Sequence, residues 1–178
     1  MTLEKRMGQH LQIRLRQLVN LCLVAGLLAF GFISNVQPAL AQDNMVDYTL
    51  TDLSYRDFSS KNLEGTSFAG AEVRKANFQG ANLKGTILTK ASFLETDLTA
   101  ADLSGTFADR VVFDGANFTN ALFVDAIATS STFNQAIIQG ADFSNTILDR
   151  YQIAQMCDYA DGINPVTGIS TRDSLGCR

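Results

Sequence analysis

Three cysteines and a single histidine are the side chains of this 178-residue chain best suited to covalent or metal chemistry. His10 and Cys22 lie near the beginning of the chain, Cys157 and Cys177 near its end. Two thiols can close a disulfide, but a metal site or a catalytic triad needs further nitrogen or sulfur groups. Acidic pairs are the other candidates. Asp158 and Asp161 are three positions apart, and Asp109 and Asp149 are forty apart, two turns of a twenty-residue coil. Surface carboxylates of this kind are usually only solvated, and nothing holds a nucleophile against a base or builds a glycine loop around a phosphate. The chain is therefore expected not to be an enzyme, with no catalytic residue, no cofactor and no metal.

The beginning of the chain carries an export pattern. Lys5, Arg6, Arg14 and Arg16 form a basic region, an apolar run follows from Leu18 to Phe32, and Pro38-Ala39-Leu40-Ala41 has the small residues a signal peptidase requires. The run is short for a membrane anchor, so residues 1–41 are expected to be a secretory signal peptide cleaved after Ala41, with no membrane association afterwards. Leu15 separates Arg14 from Arg16, which removes the twin-arginine route. Cleavage takes away His10 and Cys22 and leaves two cysteines in a compartment that permits disulfides. It also removes four of the 14 Lys/Arg and one of the 18 Asp/Glu, so the remainder carries ten against seventeen, a net charge of −7. That balance opposes non-specific binding to nucleic acid.

What positions the later residues is a period of five. From Leu53 to Leu148 every fifth residue is large and apolar, except Ala108 and Ala128. Two positions earlier stands a small residue, most often alanine, as at Ala71, Ala76, Ala81, Ala91, Ala101 and Ala116. Residues two apart on an extended segment point the same way, so the large and small columns share an interior. The residue between them points out and is often Asp or Asn, and the fifth position is often Gly, suited to a corner. On an α-helix a period of five would scatter the large residues about 140° apart and leave no apolar face. One large and one small side chain per short side imply a narrow, filled interior that only stacked turns can bury.

This A-(D/N)-(L/F)-x-x pattern resembles the pentapeptide-repeat family over residues 51–150. The resemblance implies an all-β protein, a right-handed quadrilateral β-helix with four repeats to a square coil and about five coils. Residues 42–50 are expected to cover the first coil, where Arg56 and Lys61 stand in the small inward column and can escape past the rim. On the fourth side the outward column, polar elsewhere, becomes Ile87, Phe107, Ile127 and Ile147. Val112, Leu122 and Ile137 are single exceptions on other sides. Both alanine exceptions fall on this same side. A register shift could turn Phe107 and Ile127 inward over Ala108 and Ala128, but it leaves Ile87 and Ile147 unexplained. The favoured reading is an outward apolar wall that contacts a protein partner or a second copy.

After Leu148 the period stops. Asp149 is a candidate N-cap for a short helix through Tyr151, Ile153, Ala154 and Met156 that would lid the last coil. The segment from Cys157 to Cys177 is similar to the tail of pentapeptide-repeat proteins of the thylakoid lumen in cyanobacteria and chloroplasts. The matching residues are Cys157, Ala160, Gly162, Asn164, Pro165, Thr167, Gly168, Thr171, Arg172, Ser174, Leu175 and Cys177. That likeness and the leader imply a cyanobacterial source with delivery to the thylakoid lumen or periplasm. A Cys157–Cys177 bridge would close residues 151–178 into a capping helix and a disulfide loop. It can be read as a structural staple or as a redox switch, and the staple is sufficient in an oxidising compartment.

Three functions compete. Catalysis lacks a constellation. Some proteins of the family imitate duplex DNA and bind a topoisomerase, which the acidic charge suits but export opposes. A non-catalytic structural or protein-interaction module fits the rigid walls and is the expected function.

Overall fold

The computed structural model describes residues 46–178. The export readings (cleavage after Ala41, and the loss of His10 and Cys22 with it) lie outside the described residues.

One side of five residues shows how the backbone closes. The large inward residue donates to the next coil, Leu53 N to Glu72 O at 2.7 Å, and so does the corner residue, Tyr55 N to Arg74 O at 2.9 Å. The upper coil donates back through its outward residue, Glu72 N to Thr51 O at 3.0 Å. A fourth bond spans the corner, Arg56 N to Leu53 O at 3.2 Å. Repetition of these bonds joins residues twenty apart in parallel register, from Asp47 with Ser67 to Ile127 with Ile147. Four walls result, each a stack of very short strands.

The one N–H left over on each side explains the outward Asp and Asn. It belongs to the residue after the large inward one, and the outward side chain two positions back accepts it. Ser54 N donates to Asp52 Oδ1 at 2.9 Å, Gln79 N to Asn77 Oδ1 at 3.0 Å, and Thr99 N to Asp97 Oδ1 at 2.9 Å. These are Asx turns, for which a short side chain ending in an acceptor is needed. Polarity alone would not select Asp and Asn so often over Lys, Gln or Glu.

Every corner residue from Leu50 to Asn145 has positive φ, and thirteen of them are not glycine. A Cβ in the left-handed region costs about 1–2 kcal/mol, so these corners persist only because the flanking hydrogen bonds recur in phase.

The interior is filled without a pore. Phe58 stacks on Phe78 with ring centroids 4.8 Å apart, and Phe113 on Phe133 at 5.1 Å. Ala108 and Ala128 are fully buried and point inward, so the chain keeps its register through both. Phe113, Phe118 and Phe123 supply the three preceding sides before Ala128, and a fourth large side chain would overfill that coil.

At the open end the structure differs from expectation. Residues 46–50 form a side of the coil itself: Asp47 pairs with Ser67, Leu50 turns a corner at φ 56°, and Tyr48 stacks on Phe68 at 5.2 Å. The large inward column thus begins five residues earlier than expected, because the half-buried Tyr48 ring fills it against Phe58 and Phe68. Arg56 and Lys61 are exposed there.

At the other end α1 spans Arg150–Cys157 and α2 spans Thr171–Leu175. Met156 in α1 and Leu175 in α2 bury themselves in the core. Asp149 stands at the N-cap position of α1, yet its carboxylate makes no cap. It accepts instead from Ser130 N in the coil below, at 2.8 Å. Ser170 does cap α2, accepting from Asp173 N at 3.1 Å.

Two outcomes follow from the Asx turns. Asp97→Ala removes the acceptor of Thr99 N and of Thr99 Oγ1 (2.9 and 2.6 Å) and should lower the unfolding free energy by about 1 kcal/mol, measured with denaturant. The carboxyls of Asp47, Asp52 and Asp57 are held below their ordinary value of 3.8. The chief causes are the Thr49 side chain for Asp47, the Ser54 N–H for Asp52 and the Ser59 N–H for Asp57. Lowered folded values mean that their stabilisation is complete above 3.8 and disappears as the pH falls through those values. Denaturation midpoints should therefore drop only in acid below that point.

Candidate functional site

The fourth wall carries the ladder. Ile87, Phe107, Ile127 and Ile147 pair rung to rung and point outward, with Ile87 43%, Phe107 52% and Ile147 54% exposed. Ile127, flanked on both sides, is half-buried. An Asp or Asn at these rungs would capture the N–H two residues on, as on the second and third walls. Here Thr89 N, Asp109 N and Thr129 N have no protein partner among the described residues. Hydrocarbon has replaced a hydrogen bond worth about 0.5–1.5 kcal/mol at each rung. Val112 and Ile137 are exposed singly on other walls.

Behind the ladder the corner following Ala108 is opened, and a hydroxyl repairs it. Ser131, buried in the next coil, donates to Ala108 O and accepts from Val111 N at 2.8 Å. A serine in the small inward column thus stands in for a missing corner bond.

The edges of this wall differ from each other. Along one run the corner residues Lys90, Arg110 and Ser130, followed by Arg150 at the start of α1, all exposed; along the other run Gly65, Gly85, Gly105, Asp125 and Asn145. Asp109 accepts from Thr129 Oγ1 at 2.8 Å and from Arg110 Nε at 2.7 Å, and these two bonds, the threonine's first, lower its pKa. With Asp149 occupied by Ser130 N, the Asp109–Asp149 pair serves to tie coils together. In the tail, Asp161 Oδ1 accepts from Gly162 N at 2.7 Å and Asp158 is exposed.

The tail closes the free edge of the last coil. Cys157 and Cys177 are joined, sulfur to sulfur at 1.99 Å, linking the end of α1 to the chain beyond α2. Gly140 N donates to Asp161 O at 2.8 Å and Phe143 N to Ser174 Oγ at 3.0 Å. The residue that anchors this cover is Asn164, completely buried. Its Nδ2 donates to Gly140 O, Ala121 O and Asn120 O at 2.8, 3.2 and 3.3 Å. Its Oδ1 accepts from Val166 N and Thr167 N at 2.9 and 3.2 Å. The contacts of Asn164 with residues forty-odd positions earlier leave no signal in the sequence beyond an Asn before a Pro and its place in the tail motif. Gly162, at φ 84°, passes so close to the tower that a Cβ would lie 2.7 Å from Gly140 N.

A four-walled parallel β-helix with five residues to a side and a disulfide-closed lid defines a solenoid class whose chemistry lies in its outer faces. Pentapeptide repeats match in eight copies over residues 49–85, 76–115 and 112–150, and the chain belongs to that family, built as a right-handed quadrilateral β-helix. A pentapeptide repeat protein from the thylakoid lumen of Arabidopsis thaliana is 38% identical, covering 71% of this chain and 88% of that one with a TM-score of 0.70. HetL, a pentapeptide repeat protein involved in heterocyst differentiation regulation from the cyanobacterium Nostoc, shares the fold at 23% identity and a TM-score of 0.57, over 59% of this chain and 50% of that one. No curated protein matches. Pentapeptide-repeat proteins are non-catalytic structural or interaction modules. No helix among the described residues is long and apolar enough to cross a membrane.

Asn164→Ala removes five hydrogen bonds at once and should cost at least about 3 kcal/mol, with fast amide exchange at Gly140. Reducing the disulfide should cost about 3 kcal/mol through the released loop while the Asn164 contacts keep the tail docked. Thermal unfolding with and without reductant, beside hydrogen exchange, separates the two contributions.

Proposed function

We propose that this chain is an exported, non-catalytic contact module of the thylakoid lumen or periplasm, a tower of about five coils whose fourth wall meets another protein surface. The observation that carries this reading is the ladder of Ile87, Phe107, Ile127 and Ile147. Four large apolar groups stand in line at strand spacing, three of them exposed and Ile127 half-buried between its neighbours, although an Asp or Asn at the same positions would complete the turn. Contiguous apolar patches on a soluble surface mark contacts. Export is supported by the leader pattern at residues 1–41, and the compartment by the tail motif and by a 38%-identical relative from a thylakoid lumen. The Cys157–Cys177 bridge acts as a staple, for the tail is also held by Asn164 and needs no second state. An apolar wall beside a basic corner counts against imitation of duplex DNA, which presents charge on every face.

The double variant Phe107→Asp with Ile127→Asp tests the wall. Both side chains point outward, so circular dichroism and thermal unfolding should stay close to those of the unchanged protein. Capture of its protein partner, or its self-association in sedimentation, should be lost. A variant that folds and keeps every association would remove the wall from function.

A further inference from the structure

We infer that the surface met by the fourth wall is the fourth wall of a second copy, the two towers lying side by side with parallel axes and their lids at the same end. This rests on the reading of the ladder as a contact surface and adds the partner and its orientation.

The first argument is spacing. The rungs recur at the ~4.8 Å separation of stacked strands, and a wall of the same fold presents the same interval. A helix lying across the ladder repeats at about 5.4 Å and drifts out of step over four rungs. Two identical flat walls meet through a two-fold axis, the commonest symmetry of paired copies.

The second argument is charge, and it selects the axis. With the two-fold axis running across the rungs, like edges would face each other and Lys90 would oppose Arg150 of the other copy. With the axis along the tower, unlike edges meet, each rung facing its own level. Lys90 and Arg110 then face the corners at Gly85 and Gly105, which carry no side chain to obstruct them. Ser130 faces Asp125. Arg110, paired within its own copy to Asp109, stands one rung below that aspartate, ~4.8 Å away along the axis, and Arg150, the first residue of α1, follows the top rung on the other side of it; both are long side chains able to reach across. Asp125 is exposed, and among the described residues its only side-chain partner is Asn145 Nδ2 at 3.0 Å, while Arg150 has no ion pair. The pairing gives each Asp125 two arginines of the other copy, twice per dimer, and sets Phe107 against its own counterpart.

Cross-linking reads the orientation directly. In the exported protein as isolated, Ile147→Cys should form a linked dimer by itself on mild oxidation, because position 147 meets its counterpart. If the variant alone stays unlinked while a mixture with Ile87→Cys cross-links, the axes are antiparallel and the inference fails, with the wall still a contact. Charge supplies a second measurement. Asp125→Arg should weaken self-association in sedimentation equilibrium by about tenfold, and Arg150→Asp added to it should restore most of the loss. A protein that is monomeric at every concentration, yet loses a different protein through Phe107→Asp with Ile127→Asp, rejects the second copy and keeps the wall. A protein that shows no association of either kind rejects both.

Discussion

The fold depends on one repeated constraint: a corner residue in the left-handed region every five positions, without a break from Leu50 to Asn145. Each corner turns the chain onto the next wall, and only an unbroken count returns it above its own start after twenty residues. A single insertion would move every later inward side chain to another face. Most of the corners are strained by a Cβ, so they are products of the stack as much as its cause. The bonds above and below a corner hold it, and the corner aligns those bonds.

Because the core is satisfied by two inward columns and a ladder of peptide bonds, the outward column is free to vary. Three of the walls use much of that freedom for Asp, Asn, Glu, Ser and Thr, and the Asx turns absorb the leftover N–H. On the fourth wall the same position is apolar over four rungs, and the N–H groups beside it are left to solvent. Function in such a tower is written on the outside at modest cost in stability, which is why one wall can specialise while the interior stays uniform.

The ends need separate solutions, since an open coil is an exposed sheet edge. At the start a ring and two basic side chains make the rim: Tyr48 covers Phe58 and Phe68, and Arg56 and Lys61 reach water. At the finish the tail supplies partners for individual peptide groups, with Asn164 binding three carbonyls and the disulfide restraining the loop that carries it. The tail is therefore a cover held at several points.

The amino-acid sequence by itself determined the period, the two inward columns, the outward direction of Ile87 and Ile147, and the expectation of a lid; that Phe107 and Ile127 also face outward was settled by the structure, where Ala108 and Ala128 keep the inward column. The features legible in the sequence follow from local pattern: residues two apart share a face, a period of five leaves no apolar helix face, and the helical spacing after Asp149 marks the lid, while the square coil is what the resemblance to the family implies. Tertiary structure alone decided that Tyr48 belongs to the first coil, that Ser131 mends the corner after Ala108, that Asp149 bonds to Ser130 and leaves α1 uncapped, and that Asn164 reaches Asn120, Ala121 and Gly140. The last three each join residues about twenty or more positions apart through one polar side-chain atom. Such a bond leaves no periodic trace along the chain, because its partner is set by which coil lies beneath.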